Sequence, residues 1–476
     1  MGIGVLGSRG PDVGLGWNRR QGSSFFYLEN SVRYLKRLWD RRHFTRMSLG
    51  LLATTGLSAD DRPTVRNPRA TSGDRVQEPD WNKRLTITVG PKDGDLVGQD
   101  DKVLQAAVEY VARWGGGTVQ VLPGRYVLRN AIHLRSGVRL RGSGADSVIT
   151  KLPSETIRLS RDSDWYDQEI TLEKAGGFRL GDAVCLKARN PHNGEMTILK
   201  RTFIARQGNR FKLDRPLRKN FWISGEPTAS SLFPLVSGEG IERATVENLT
   251  LDGNGRNNQL LDGNHAGCLF FQDCGGIAIR EVEARNFNGD GISWQICHDV
   301  LVENCFSHDN TNLGLHPGSG SQRPVMQSNR LERNSIGIFW CWGVKFGVAD
   351  GNRIRDNRDY GISIGHNDTD NLMKNNQVIG SGKVGILFRD DPRGRDFWPH
   401  RNRLEKNRIL DNGGESGIGV DLRGKTKDIE LVDNLIRESR PPANRIGIRI
   451  GASADRVRLD KNRIEGFEVA IRDLRS

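Results

Sequence analysis

Apolar–glycine–apolar steps recur at Gly291-Ile292, Gly314-Leu315, Gly337-Ile338, Gly361-Ile362 and Gly385-Ile386, at intervals of 23, 23, 24 and 24 residues. No other feature restricts the fold as strongly. A second mark runs in step with it: Asn304, Asn329, Asn352, Asn376, Asn407, Asn434 and Asn462. Most of these asparagines open alternating segments such as NRLER, NRIRD and NRILD. Short period-two segments between Gly, Asn and Asp turns are strands, not helices. A unit of this length with two or three strands predicts one coil of a right-handed parallel β-helix, an all-β solenoid. The leucine-rich repeat has a similar period but needs several leucines per unit, and here each unit offers one or two small β-branched residues.

Stacked coils rise about 4.8 Å each, so equivalent residues form ladders along the axis. A buried Asn in a turn can bond the backbone above and below it, which leaves few polar groups unpaired. Asn329, Asn352 and Asn376 are predicted to stack in this way. Cys274 and Cys297 also lie 23 residues apart, as an inward stack or a bridge. None of the six cysteines forms a CxxC pair, so buried apolar roles are expected rather than metal ligation.

Residues 99–150 run from an amphipathic segment (Val103, Ala106, Ala107, Tyr110, Val111) through Gly115-Gly116-Gly117 to Leu122-Pro123-Gly124 and GVRLRGSG. This arrangement of helix, GGTV and Pro-Gly turn resembles the N-terminal cap of the pectate-lyase superfamily. The resemblance covers about residues 85–476 and implies a parallel β-helix closed at one end by a helix. Its members include lyases, hydrolases, epimerases and adhesins, so it implies no single function. Residues 151–235 break the pattern and are expected to form an irregular insertion or flap over the groove; the regular coils are placed at 240–476.

The net charge of +13 is uneven, with nine basic and three acidic residues before Asp60. Within 1–59, Arg41-Arg42 precede a short apolar run that ends at Leu57-Ser58-Ala59. This resembles a bacterial twin-arginine export signal and implies a periplasmic or extracellular protein, with residues 1–37 dispensable. Residues 60–84 read as a polar linker. The mild excess over the rest fits an acidic polymer and is not a nucleic-acid signature. No run is long enough to span a membrane, and a monomer is expected.

Six of the nine histidines fall between 265 and 400, a concentration that a purely structural solenoid does not require. If the residue after each glycine points inward, the next points out. That places Ser293, His316, Phe339, Ser363 and Leu387 on an outer sheet face. Asn288-Gly289-Asp290-Gly291-Ile292 resembles the Asn-Thr-Asp-Gly-Ile segment of polygalacturonases, which implies that Asp290 lies in an active cleft. Gly361-Ile362-Ser363-Ile364-Gly365 resembles that family's Gly-His-Gly-x-Ser-x-Gly segment, with Tyr360 where its His stands. Asp290, His316, His366 and Asp368 are therefore the candidate catalytic residues. Asp290, His316 and His366 are expected on one exposed face, with Asp290 and His316 about 5–10 Å apart.

His265, Gln295, Arg323, Trp340, Trp342, Lys345 and Arg389 are the candidate substrate contacts. Aromatic faces stack on sugar rings, and Arg and Lys clamp carboxylates or sulfates. No cofactor is required, although the His366/Asp368/Asp370 turn also has the ligand types for a divalent cation such as Ca²⁺. Three functions fit a polysaccharide or oligosaccharide partner. A glycoside hydrolase needs two carboxylates about 5–9.5 Å apart and is placed first, on Asp290. A polysaccharide lyase with a His, Lys or Arg base acting on a uronate is second. A non-catalytic carbohydrate-binding solenoid is third.

Overall fold

The computed structural model describes residues 78–391, 393–441 and 444–475. The export segment and most of the polar linker therefore lie outside the described residues. Each coil carries three straight pieces, such as Val325–Gln327, Arg330–Glu332 and Ile336–Phe339. The third pieces pair in parallel into an eleven-stranded sheet, from Ile132–His133 to Val469–Asp473 among the described residues. The first and second pieces form two ladders of a larger, mostly parallel sheet. Leu315, Ile338, Ile362, Ile386, Val420 and Ile448 stack in register and are fully buried.

Between the first and second pieces, a residue in the left-handed region turns the chain, and an asparagine follows. Ser328 (φ 55°) precedes Asn329, and Asn375 (φ 56°) precedes Asn376. The Asn352 amide donates from Nδ2 to Asn376 Oδ1 at 2.8 Å and to Met326 O at 2.9 Å, while its own Oδ1 accepts from Asn329. This ladder runs without a gap from Asn329 to Asn462. Asn304 was expected in it and is not a rung. It is the left-handed turn residue (φ 53°), and Cys305 takes the rung, donating its N–H to Asn329 Oδ1 at 2.9 Å. A second ladder, Asn310–Asn334–Asn357, supports the other corner.

The recurrent glycines are required by close approach. A Cβ on Gly337 would come 2.4 Å from Ile354 and 2.6 Å from the carbonyl of Gly361, and Gly361 and Gly385 are as crowded. The β-ladder skips these glycines, pairing Leu313 with Ile336 and Leu315 with Ile338. The residue before the glycine and the residue two after it consequently share the outer face. Strict alternation does not foresee this.

The helix Asp101–Arg113 lies over the first coils, capped by Asp100, which accepts from the Lys102 and Val103 N–H groups. It buries Leu104, Ala107, Val108 and Val111. Ala106 and Tyr110, expected on that face, are exposed. Residues 156–230 contribute a six-stranded antiparallel sheet with its own core of Val184, Leu186, Phe203, Phe211 and Phe221. Cys274 and Cys297 are free, buried thiols, as an inward stack requires. Among the described residues no helix is long and apolar enough to cross a membrane.

Candidate active site

Asp290 opens the strand Asp290–Gln295, and His316 lies in the next strand, Leu313–Pro317. The glycine step turns both side chains to the outer face, one coil apart. There His316 Nδ1 meets Asp290 Oδ2 at 2.7 Å. The other carboxylate oxygen accepts from the Leu313 N–H at 3.2 Å. Ser293, in register with His316, sits 3.3 Å from the same ring nitrogen. The pair was expected to be exposed, but it is buried: His316 is 3% exposed and Asp290 0%.

The cover is the segment 259–266. Ser293 Oγ donates to Gly263 O at 2.5 Å. A Cβ on Gly263 would fall 1.7 Å from Asp290 Oδ2, so only glycine lets the backbone lie against the pair. Burial alone disfavours a charged imidazole, but the hydrogen-bonded Asp290 carboxylate outweighs it and holds the His316 proton well above the usual histidine range. His316 Nε2 is buried and meets no hydrogen-bond partner among the described residues.

The antiparallel sheet and the outer face of the eleven-stranded sheet enclose a groove of about 730 Å³. Lys200, Arg201, Arg215, His265, Phe270, Gln295 and Trp342 line it. Lys200 donates to His265 O and sits 4.0 Å above the Phe270 ring. Arg201 spends its donors on the carbonyls of Lys200, Arg215, Pro216 and Leu217. Neither cation is salt-bridged to a carboxylate among the described residues. Burial pushes Lys200 down to about 8, and burial with Lys200 close by lowers His265. Phe270, Ser293 and His316 are consecutive in one column, so Lys200 lies about two coil heights, ~10 Å, from the pair.

The remaining candidates divide sharply. Gln295 reaches the groove and holds the Ser319 N–H at 2.9 Å. Trp342 is 43% exposed and packs 4.6 Å from the His366 ring. His366, expected to be exposed, is buried beneath it and between Phe397 and the Asp391 carbonyl; burial lowers it. Trp340 is not a groove wall: it is wholly buried in the solenoid core, on the inward side of its strand. Asp368 is a turn support, and its carboxylate accepts the N–H groups of Gly343, Val344 and Gly365, each at 2.9 Å. Arg389 braces the same region, donating to Ser363 Oγ and Trp340 O and lying 4.2 Å over Phe339. Arg323 is bound bidentately to Asp299 on the turn between sheets. Lys345 is a buried member of that turn's bridge ladder, from Gln322 to Thr369.

Residues 235–393 match the family model described as a right handed beta helix region. Residues 343–447 match one described as periplasmic copper-binding protein (NosD). Among solved structures, the A-module of the Azotobacter vinelandii mannuronan C-5 epimerase AlgE4 aligns with TM-score 0.53 at 18% identity, covering 82% of this chain and all of that one. The AlgE6 A-module aligns with TM-score 0.50 at 17% identity, covering 78% and 91%. This chain is a right-handed parallel β-helix. No curated protein matches it in sequence. The β-helix has no cluster of three or more His, Cys, Asp or Glu residues arranged for a metal among its described residues.

Sequence reasoning missed Lys200, Arg201 and Gly263. The flap has no periodicity that relates it to the coils, so nothing in its sequence places the strand Met196–Gln207 opposite the sheet. The Gly263 signal was equally hidden, because the segment's closure depends on the flap contacts Lys187–Leu260 and Lys200–His265.

Proposed function

We propose that this protein binds an acidic polysaccharide in the groove and breaks it by elimination, with His316 as the general acid. One observation carries the reading: a buried Asp290–His316 pair, 2.7 Å apart, lies close to a groove lined by Lys200, Arg201 and Arg215 against two carboxylates, Asp214 and Glu239, neither of which is salt-bridged to Lys200 or Arg201. Such cations favour a uronate or sulfated chain. The imidazolium, with Nε2 free, can donate a proton to a departing glycosidic oxygen. His265, whose proton affinity burial lowers, lies two residues from Gly263 and lines the groove, and it is the base in this reading. The two-carboxylate hydrolysis expected from Asp290 and Asp368 loses support, because three backbone N–H groups and the nearby Arg389 hold Asp368 in its turn. The match to a periplasmic protein's family model and the twin-arginine pattern support action outside the cytoplasm.

The named activity of the two aligned modules, C-5 epimerisation, also moves a proton at the sugar carbon beside the carboxylate, and one experiment separates the outcomes. Oligouronates are incubated with purified protein in deuterated water. An ultraviolet-absorbing unsaturated product means elimination, and deuterium at C-5 without that product means epimerisation. New reducing ends with neither would overturn the proposal in favour of hydrolysis.

A further inference from the structure

A second depression, of about 790 Å³, lies where the second pieces of the coils turn into the third. It shares no lining residue with the groove, and its size is within the ~300–1,000 Å³ of ligand clefts. Asn286, Asp309 and Arg333 (φ 54°, 54° and 55°) are the left-handed residues that end successive second pieces, so they form a column along its floor. The short turn Gly255–Asn257 closes one end. Gly255 donates its N–H to Asn286 O at 2.6 Å, and a Cβ there would come 2.6 Å from that oxygen, so glycine is required for the turn to seat against the corner. Two carboxylates line the depression, and both are answered: Asp252 by Arg285 at 3.2 Å and Asp309 by Arg333 at 2.8 Å. Two further guanidiniums are not. Arg358 donates only to carbonyls, those of Arg333, Asn310 and Thr311. Arg256 is exposed and makes no hydrogen bond or ion pair among the described residues.

A guanidinium held by carbonyls keeps its full charge and gains a fixed direction. Arg358 reaches back to Asn310 and Thr311, whose coil lies two above that of Arg256. Its guanidinium is therefore about two coil heights, ~10 Å, from the level of Arg256. Two unanswered charges so spaced along an open cleft suit the repeated acid groups of a chain, whereas a single small anion reaches only one of them. The amide nitrogens of Asn257, Asn286 and Asn288 are taken by Asn254, Asp252 and Asn258. Their side-chain oxygens accept nothing among the described residues, so they are set to accept from hydroxyls. We propose that this corner is a second binding site, separate from the groove, for an acidic oligosaccharide. Arg256 and Arg358 take its carboxylates or sulfates, and the three asparagines take its hydroxyls. Binding here uses no chemistry at Asp290 or His316.

Calorimetric titration of the purified full chain tests the site. Oligogalacturonate presents carboxylates and a heparin oligosaccharide presents sulfates, so the two probes identify the acid group. The Lys200→Ala variant, whose groove has lost a cation, should still bind at least one of them. Arg256→Glu in that background should weaken binding by about tenfold or more, because repulsion replaces a charge-assisted contact. A neutral cello-oligosaccharide should not compete. Arg256 is exposed and holds nothing in place, so the melting temperature should stay at the parental value, which separates a lost contact from a lost fold. Affinity unchanged by Arg256→Glu, no binding of either acidic probe by Lys200→Ala, or equal binding of the neutral sugar would overturn the proposal. The groove reading fails on a different protein: Arg256→Glu alone keeps the groove, and loss of all oligouronate binding there would leave the groove empty and this site standing.

Discussion

The asparagine ladder and the Asp290–His316 pair both bury polar side chains, and they do so in opposite ways. Each ladder amide is answered by a backbone carbonyl and by the next amide, as Asn352 is by Met326 and Asn376. Nothing there is left over to do chemistry. The pair answers one ring nitrogen and leaves Nε2 without a partner under a segment that only glycine can form. A buried polar group without a partner costs stability, so a fold that keeps one beside a groove keeps it for a use. Satisfied polar burial therefore holds the ladder together; unpartnered buried atoms such as Trp340 Nε1 and Ser381 Oγ also occur in the scaffold, and what sets Nε2 of His316 apart is its place close to the groove.

The largest expected effect tests the working face. His316→Ala should lower turnover on the polysaccharide by about 10²-fold or more, as expected when a proton donor is lost. It should also lower the melting temperature, because Asp290 is left buried and unpaired. The double variant Asp290→Asn/His316→Ala should recover much of that stability and none of the turnover. A single variant with parental turnover would make the pair another structural contact and collapse the comparison.

Asn352→Ala tests the other side. It removes bonds to Met326 and Asn376 and strands the Asn329 amide, at a cost of roughly 2–3 kcal/mol. Denaturant unfolding should show that loss, while turnover per folded molecule stays at the parental value. A variant as stable as the parent would mean that the ladder is tolerated rather than required.

These contrasts also explain what could be read in advance. The coil period, the strands, the helical cap and most rungs of the ladder were legible because stacking imposes one residue type at one spacing. Asn304 was misassigned because the turn carries two polar positions in succession, and only backbone geometry separates the left-handed residue from the rung. His316 was legible as an outer-face residue from its spacing after the glycines, and Asp290 as a candidate from the resemblance of its segment to polygalacturonases. Their burial was not, because the cover is a segment pinned by a flap with no repeat. Trp340 and Trp342 differ by a single alternation step, and sequence alone did not decide which of them turns inward.

Lys151 sharpens the comparison, with the smallest expected effect. It is 2% exposed, donates to Phe233 O at 3.2 Å and lies 4.0 Å over the Phe233 ring. One carbonyl answers an ammonium with three donors, so this group is under-satisfied as His316 is, and its partner Phe233 also lines the groove. Burial pushes its proton affinity down to about 7, from 10.5. The sign follows from proton linkage: above about pH 7 the unfolded chain binds more protons at this site than the folded one, so stability rises with pH toward 10.5. Below pH 7 both states are charged and the full cost is present. Lys151→Met keeps the length and removes the charge, so it should raise stability by about 1 kcal/mol at pH 6. The gain should shrink as pH increases from 7 to 10. Stability curves of the two proteins at pH 6 and pH 9 measure it. A gain at pH 6 with unchanged turnover would place Lys151 in the scaffold as a tolerated cost, and would limit the marker of function to unsatisfied groups that face the groove. A loss of turnover on this substitution would instead extend the working face to the first coils of the solenoid.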